Sequence, residues 1–215
     1  MYNHYYDVLK EETDICNYTS NNSGHVCSLT SEEIQGYLNN ISYASKNRQQ
    51  LVKTALTLTG AIYYEWGGKP TNPGWNDRWW QPTTNGYTGL DCSGYIKWVY
   101  WTAWGEGYEG LDGTAGICSN CTIISKSELQ PGDLGVIFIG GSSNTATNHV
   151  GMYMGKNQSG NDLWIHCTGG EQRTVVISEN YDRFHYYLRV NSAALEGDNH
   201  WTENFKKGLD KLRKI

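Results

Sequence analysis

The sequence predicts an α+β fold, with helices in the first part of the chain and an antiparallel sheet in the second. Up to Pro131, apolar residues recur at helical spacing, and beyond it short β-branched or aromatic runs are separated by turn residues. Helices followed by strands are typical of the α+β class. At 215 residues, the chain is long enough for one good core or for two small domains.

The first two helices are predicted from their caps. Thr30 and Glu33 match a capping box, which predicts a short helix that runs to about Tyr43. Ser45 can cap a second helix, which we expect to stop near the glycine pair at 67–68. The residues that define one buried face of this second helix are Leu51, Ala55, Leu58 and Ile62.

Residues 68–90 predict a long loop, because prolines and glycines are frequent in them. A connection of that length without elements of its own is usually functional or a lid. The next stretch begins at Cys92 and is apolar on all sides, so we expect a buried helix that ends near Gly105. Near the end of the sequence, the residues from Ser192 to Ile215 predict a final helix.

The second part of the chain predicts five short strands of an antiparallel sheet. They span residues 135–139, 148–154, 162–167, 173–178 and 186–190. A turn centred on Gln158 joins the second and third of these strands into a hairpin. We expect residues whose numbers sum to about 316 to face each other there, which places His149 opposite residue 167. A register moved by one residue pairs His149 with His166 instead, and the sequence leaves both registers open.

The composition excludes several classes of protein. The chain holds 9 Trp, 16 Tyr and 3 Phe, and a disordered chain is poor in aromatic residues. The formal net charge of −5 argues against a nucleic-acid partner. The most apolar stretch, Leu134 to Ile139, is far shorter than the roughly 20 residues of a membrane span. The surplus of Trp and Tyr over Phe is typical of surfaces that contact sugars or peptides.

The cysteines favour an exported protein. The first residues show no basic or apolar leader, so the chain is expected to be either cytoplasmic or a piece of a longer exported protein. Cys16 and Cys27 lie in a polar, turn-rich segment that suits a disulfide. Cys118 and Cys121 are compatible with a small disulfide loop, a redox pair or half of a zinc site. A four-cysteine site that joins the two pairs stays open.

Cys92 is the candidate nucleophile. A helix N-terminus and a neighbouring imidazolium both stabilise a thiolate, and Cys92 begins a predicted helix. The commoner fate of a free thiol is that of a small buried residue. His149 and His166 favour the catalytic interpretation, because they lie on two paired strands and are placed to meet.

Five sequence blocks resemble those of NlpC/P60 cysteine peptidases, and they occur in the same order. The blocks are Tyr64-Glu65-Trp66-Gly67-Gly68-Lys69, Asp91-Cys92-Ser93-Gly94-Tyr95, Leu129-Gln130-Pro131-Gly132-Asp133-Leu134, His149-Val150-Gly151-Met152-Tyr153-Met154-Gly155 and Ile165-His166. The resemblance runs roughly from Arg48 to Val190. It implies a reduced papain-like α+β fold and the hydrolysis of bacterial cell-wall peptides.

The resemblance also implies roles for individual residues. Cys92 would be the nucleophile, His149 the base, and His166 the polar residue that orients His149. Three further residues near the nucleophile are expected to contact the substrate, namely Tyr64, Asp91 and Ser93. By this resemblance the substrate is a peptidoglycan stem peptide, the default bond is that between D-glutamate and the following diamino acid, and no cofactor or metal is needed.

Alternatives of the same fold stay open. They are an amidase, a transpeptidase, another acyl hydrolase, and a wall-binding module without activity. The expected location is extracellular or in the cell wall, with the chain as part of a longer multidomain wall hydrolase. In such a compartment we expect Cys16–Cys27 and Cys118–Cys121 to be oxidised. Cys167 is expected to stay free and to point away from the catalytic face, because side chains alternate along a strand.

The sequence departs from the family pattern in three places. Residues 68–90 form a longer loop, the segment 105–125 carries the cysteine pair, and residues 1–45 have no counterpart. We therefore expect an N-terminal extension or linker with a short helix at 1–45, a catalytic domain at 46–190 and a tail helix at 191–215. The loop contributes Trp75, Trp79 and Trp80, which are expected either to pack the loop onto the body or to wall off a substrate subsite.

Overall fold

The computed structural model describes residues 29–74, 76, 78–79, 82–84, 86–105, 108, 110–139 and 148–197. Its α-helices are α1 (Ser31–Asn39), α2 (Lys46–Leu56), α3 (Cys92–Trp104) and α4 (Gly113–Ser119). Two-residue strands follow α2, namely β1 (Tyr63–Tyr64), β2 (Pro82–Thr83), β3 (Gly86–Tyr87) and β4 (Gly89–Leu90). The main sheet consists of β5 (Cys121–Ile124), β6 (Leu134–Val136), β7 (Val150–Lys156), β8 (Asp162–Thr168), β9 (Thr174–Glu179) and β10 (Tyr186–Val190).

The main sheet is antiparallel throughout, with the strand order β5-β10-β6-β7-β8-β9. The α+β class predicted from the sequence is therefore confirmed. The five predicted strands all form, and β10 has the predicted bounds. Strand β5 and helix α4 were not predicted, because α4 is short and glycine-containing and because β5, at the sheet edge, lacks alternating burial.

Helices α1 and α2 begin where their caps predict and end earlier than expected. The Thr30 hydroxyl accepts a hydrogen bond from the Glu33 N–H at 3.2 Å, and the Ser45 hydroxyl accepts one from the Arg48 N–H at 3.2 Å. Helix α1 ends at Asn39, not near Tyr43. The expectation that α2 continues to the glycine pair is also wrong, since it ends at Leu56.

The early end of α2 has a tertiary cause. The chain after Leu56 turns to bridge β9, where the Gly60 N–H donates to the Val175 carbonyl at 2.9 Å and Gly60 adopts a φ of +69°. Leu58 and Ile62 are buried as expected, but they reach the core from this turn and not from a helical face. Tertiary pairing thus overrides the helical spacing of the apolar residues.

Helix α3 lies in the middle of the core, as its apolar character on all sides predicts. Four of its large side chains, Trp98, Trp104, Tyr95 and Tyr100, are almost completely buried. The two tyrosine hydroxyls still find acceptors, at 2.8 Å on the Ala55 carbonyl and 2.6 Å on the Gly132 carbonyl. A fixed α3 gives the residues at its N-terminus a rigid base.

The segments on either side of the predicted catalytic domain contact the same core. Leu38 and Ile41 from the predicted extension are buried in it, as is Leu195 beyond β10. Of the predicted tail helix, the structure describes only a 3₁₀ turn at Ala193–Glu196, and the remainder lies outside the described residues. None of the helices in the described part of the chain has the length and apolar character needed to cross a membrane.

A buried ion-pair network ties α2 to the sheet. The Asp133 carboxylate is fully buried and accepts from Arg48 at 3.1 Å and from Arg189 at 2.6 Å. The Arg48 side chain is also fully buried, and its guanidinium donates to the Pro131 carbonyl at 2.8 Å. The network therefore fixes the turn before β6 against the start of α2.

Asp133→Ala should lower the free energy of unfolding by about 3–5 kcal/mol, because it removes the buried carboxylate that Arg48 and Arg189 share and leaves Arg48 with only the exposed Glu196 as a counter-charge. Urea unfolding followed by circular dichroism measures the change. The matched control is Lys156→Ala, which removes an exposed ion pair to Asp162 and should cost no more than about 1 kcal/mol. Equal effects of the two substitutions would contradict a central role for Asp133.

Candidate active site

Cys92 is the first residue of α3 and is almost completely buried. Asp91 caps the helix, since its carboxylate accepts a hydrogen bond from the Gly94 N–H at 2.6 Å. Backbone hydrogen bonds from Val150 and Ser93 reach the thiol. Burial first, and the negative charge of Asp91 second, raise the pKa of Cys92 to about 11. The resting thiol is therefore protonated at neutral pH.

The first turn of α3 requires a glycine at position 94. A β-carbon on Gly94 would lie 2.2 Å from the Gly68 carbonyl oxygen, which no side chain can tolerate. The same carbonyl accepts the Asp91 N–H at 3.0 Å. The turn that contains Gly68 therefore packs directly on the start of α3, beside the candidate nucleophile.

His149 and His166 come together as a hydrogen-bonded pair. His149 Nε2 lies 2.8 Å from His166 Nδ1, and the two rings are nearly perpendicular. His166 Nε2 lies in turn 3.0 Å from the Ser178 hydroxyl. The three side chains thus form a continuous chain from the residue before β7, across β8, to β9. We call His149, His166 and Ser178 the polar relay.

The polar relay has one proton arrangement that leaves a base free on His149. If His149 carries its proton on Nε2, it donates to His166 Nδ1, and His166 then donates from Nε2 to the Ser178 hydroxyl. His149 Nδ1 is left as an acceptor, and it is the nitrogen that the relay does not use. The positions of these protons are assigned from the hydrogen-bond partners of each ring nitrogen.

Both histidines are neutral at neutral pH. Burial first, and the positive charge of Arg183 second, lower the pKa of His149 from 6.5 to about 4. Burial and the neighbouring His149 lower the pKa of His166 from 6.5 to about 3. A neutral imidazole is the form that accepts a proton, so the burial of His149 keeps it in the basic form over a wide pH range.

A β-bulge in β7 brings the two histidines to one face of the sheet. Pairing runs from Lys156↔Asp162 and Gly155↔Leu163 to Tyr153↔Trp164, so β7 carries one extra residue at Met154. Because side chains alternate, a ladder without that residue would put His166 opposite Met152 and send His149 to the other face. Gly155 follows the bulge with a φ of +123°.

The observed register differs from both registers considered from the sequence. In the half of the hairpin that holds the histidines, Met152 pairs with Ile165, which places Gly151 opposite His166. His149 therefore meets His166 diagonally and not directly across the ladder. Ser178 stands in the same diagonal relation to His166 on β9, where His166 pairs with Val176. Ser178 was missed because its contact with His166 depends on the register of β8 against β9, which the sequence did not predict.

Two aromatic residues cover the polar relay. The Phe184 ring stacks on His149 with centroids 5.9 Å apart, and the Tyr181 ring lies 4.8 Å from that of His166. Both come from the connection between β9 and β10, which sequence analysis did not connect with the site. A β-carbon on Gly151 would approach Phe184 to 2.7 Å, so the absence of a side chain there admits the ring.

The three residues expected to contact substrate all lie near Cys92. Tyr64 is half-buried, and burial followed by the charges of Cys92 and Asp91 raises its pKa. Ser93 is buried and donates to the Asp91 carboxylate at 2.8 Å. Asp91 and Ser93 are thus engaged with the helix cap, whereas the Tyr64 phenol lies within electrostatic range of Cys92.

Of the three tryptophans of the long loop, the structure describes one. Trp79 is buried in the core and meets the edge of Trp98 at a centroid distance of 6.0 Å. Its indole therefore packs the loop onto α3 and does not line a subsite, which corrects the substrate-binding expectation for this residue. Trp75 and Trp80 lie outside the described residues.

One of the cysteine expectations is wrong. Cys118 and Cys121 are free thiols in the structure, not a disulfide, and the Cys118 sulfur is directed toward the Phe138 carbonyl at 4.0 Å. Cys167 is free and faces away from His166, as expected. Its thiol donates to the Leu90 carbonyl of β4 at 3.2 Å and lies within electrostatic range of Cys92.

The other cysteine pair, Cys16 and Cys27, lies outside the described residues. Within the part of the chain that the structure describes, no three or more His, Cys, Asp or Glu side chains are grouped so that they could hold a metal ion.

Comparisons with solved structures find proteins of similar architecture. The peptidoglycan hydrolase RipB from Mycobacterium tuberculosis is 16% identical, over 86% of this chain and 84% of that one, with a TM-score of 0.46. RipD from the same organism is described as a non-catalytic NlpC/p60 domain protein adapted to peptidoglycan binding. It is 21% identical, over 68% of this chain and 98% of that one, with a TM-score of 0.45. An NlpC/P60 family protein from Bacillus cereus is 21% identical, over 67% of this chain and 40% of that one, with a TM-score of 0.44.

A search of the curated proteins finds no match to the chain. The model of the NlpC/P60 family, in contrast, matches residues 61–190, which is more than half of the sequence. This span holds Cys92 and both histidines on the helix and sheet described above, in an α+β arrangement of the reduced papain-like kind. The resemblance of the five sequence blocks is thereby confirmed, and the chain belongs to the NlpC/P60 family.

Proposed function

We propose that the chain is a cysteine peptidase that hydrolyses an amide bond in the stem peptide of bacterial peptidoglycan. Family membership supports the substrate class, and the site supports the chemistry. The observation that carries the proposal is the 2.8 Å contact between His149 Nε2 and His166 Nδ1. When His149 donates in this contact, its Nδ1 is left as a base that can accept a proton. His149 directly precedes Val150, whose backbone hydrogen-bonds the Cys92 thiol.

The proposed reaction begins when His149 Nδ1 takes the proton of the Cys92 thiol. The thiolate attacks the scissile carbonyl carbon, and the backbone N–H of Cys92 at the start of α3 helps to hold the oxyanion. Each such donor is typically worth roughly 3 kcal/mol in the transition state. The C–N bond then breaks, and the imidazolium returns its proton to the leaving amine.

The acyl-enzyme that remains is hydrolysed in the second half of the reaction. His149 Nδ1 takes a proton from water, the resulting hydroxide attacks the thioester, and the thiolate leaves and is reprotonated. Throughout, His166 and Ser178 hold the His149 ring in one tautomer and orientation. The aromatic cover of Tyr181 and Phe184 excludes water from the rings and keeps them neutral before the substrate binds.

The bond that we propose is the one between D-glutamate and the following diamino acid, which makes the chain a D,L-endopeptidase. An amidase, a transpeptidase or another acyl hydrolase would use the same thiol and imidazole, so product analysis distinguishes these activities. A wall-binding module would bind the stem peptide without cleaving it.

The function is tested by digestion of purified peptidoglycan from several wall types, followed by mass spectrometry of the new termini. The wild-type chain should release fragments with a new diamino-acid amino terminus. Cys92→Ala should lower the release by at least about a thousandfold, because no other group supplies the nucleophile. Circular dichroism and the thermal midpoint control for folding. Undiminished release by the folded variant would exclude Cys92 as nucleophile, and binding without release by the wild type would favour the wall-binding module.

Substitutions of the two histidines should differ in cost. His149→Ala should be nearly as damaging as Cys92→Ala, because the base and the nucleophile act as one unit and their losses do not add. His166→Ala should cost about a hundredfold, since it misplaces the base without removing it. Steady-state kinetics on a soluble stem peptide measure kcat/KM. A folded His166→Ala variant as inactive as His149→Ala would contradict the assigned order.

The acid limb of the pH profile should lie unusually low. A His149 pKa of about 4, against an ordinary 6.5, keeps the base neutral and active well below pH 6. The buried neutral histidines also make the fold less stable as the pH falls from 6.5 toward 4, so folding is verified at each pH. The profile of kcat/KM between pH 3.5 and 8 checks this, with its half-maximum expected near pH 4 on the acid side. If the protein is folded and kcat/KM instead reaches half of its maximum near pH 6.5, the ordinary histidine pKa, the base is not a buried imidazole with a lowered pKa.

A further inference from the structure

Lys69 lies beside the candidate nucleophile without a role in the chemistry described so far. Its ammonium forms an ion pair with the Asp91 carboxylate and donates to the Ser93 hydroxyl at 2.9 Å. The Lys69 side chain is about one-third exposed, and that of Asp91 is 12% exposed. The pair is therefore partly removed from water at the start of α3.

The negative charge of Asp91 has opposite effects on the start of α3 and on the nucleophile. The Asp91 carboxylate satisfies the Gly94 N–H at 2.6 Å, as an N-cap does. A carboxylate next in sequence to Cys92 also repels the thiolate that the proposed reaction requires. Of the charges that act on Cys92, that of Asp91 opposes ionisation, and that of Lys69 favours it.

Apart from Arg183, the other titratable groups around the thiol carry no formal charge at neutral pH. Tyr64 from β1, Tyr181 from the connection before β10 and Cys167 from β8 all have raised pKa values, so they stay protonated. His149 is neutral, and Arg183 acts on His149 and Tyr181. Among the described residues, Asp91 and Lys69 are thus the ionised pair whose balance acts on Cys92.

The backbone holds Lys69 in place. The preceding residue, Gly68, accepts the Asp91 N–H at 3.0 Å, and its carbonyl fills the space where Gly94 has no side chain. Gly67 adopts a φ of +76°, which turns the chain toward the helix. Lys69 therefore leaves a fixed turn within reach of the cap.

We propose that Lys69 is a positioning residue that offsets the negative charge of the Asp91 cap, so that the carboxylate can stabilise α3 without suppressing the ionisation of Cys92. The proposal rests on the proposed role of Cys92 as nucleophile. By this proposal, the turn that contains Gly68 and Lys69 contributes to the electrostatic environment of the thiol. The proposal also predicts that loss of Lys69 matters only while Asp91 is charged.

The experiment measures the alkylation of Cys92 by iodoacetamide at pH 8, with mass spectrometry of the Cys92 peptide to separate it from the other cysteines. Iodoacetamide is uncharged, so Lys69 does not attract or repel it. The variants are Lys69→Met, Lys69→Arg, Asp91→Asn and the double variant Lys69→Met/Asp91→Asn. The matched control is Lys97→Met, which breaks the ion pair with Asp112 further along α3.

Lys69→Met should slow the alkylation of Cys92 about tenfold, since an uncompensated carboxylate raises the thiol pKa and lowers the fraction of reactive thiolate. Lys69→Arg and Lys97→Met should react at the wild-type rate. Asp91→Asn should react faster than the wild type, and the double variant should recover at least the wild-type rate. The recovery is the readout that a merely structural role of Lys69 would not produce.

An unchanged or faster rate in folded Lys69→Met would overturn the proposal, as would a double variant as slow as Lys69→Met. Thermal midpoints of all variants separate altered folding from altered ionisation. If Lys69→Met does not fold, Asp91→Asn decides, because a rate no faster than wild type would show that the cap charge does not act on the thiol. The assay uses no wall substrate, so its outcome stands apart from the digestion that tests the proposed function.

Discussion

The hydrogen bond between His149 and His166 depends on one extra residue in β7. The bulge at Met154 shifts the ladder by one position, and this shift brings His149 to the face of the sheet that carries His166 and Ser178. Without the shift, the sequence would hold the same residues but not the same site. Burial of the rings under Phe184 then keeps them neutral, so the register of one hairpin determines both the geometry and the protonation state of the base.

The nucleophile obeys a second constraint, at the start of α3. The helix needs a cap, and Asp91 supplies it, but the capping charge and burial both hold Cys92 in the protonated form. A neutral thiol beside a neutral imidazole is stable in a water-poor site, where a pre-formed ion pair would be costly. We therefore expect the proton to move when substrate is bound, with the ion pair of Lys69 and Asp91 setting how readily it moves.

Local signals in the sequence predicted the features that local interactions determine. The caps Thr30 and Ser45, the buried helix that begins at Cys92 and the presence of the β7–β8 hairpin all follow from residue type and spacing. Features that depend on distant pairing were missed. The end of α2 is set by its bridge to β9, and the meeting of His149 with His166 is set by the bulge in β7. The place of Ser178 in the polar relay is set by the register of β8 against β9. Trp79 likewise could not be assigned to the core from loop composition alone.

The central claim, that the Cys92 thiol attacks the stem peptide under the control of His149, is tested most directly by trapping the covalent intermediate. A soluble stem peptide is mixed with the protein, the reaction is quenched with acid within one turnover, and the intact mass and the Cys92 peptide are measured. The account predicts an added mass equal to the acyl fragment, located on Cys92 and absent from His149→Ala. Cleaved peptide accompanied by an acyl group on a different residue would contradict it.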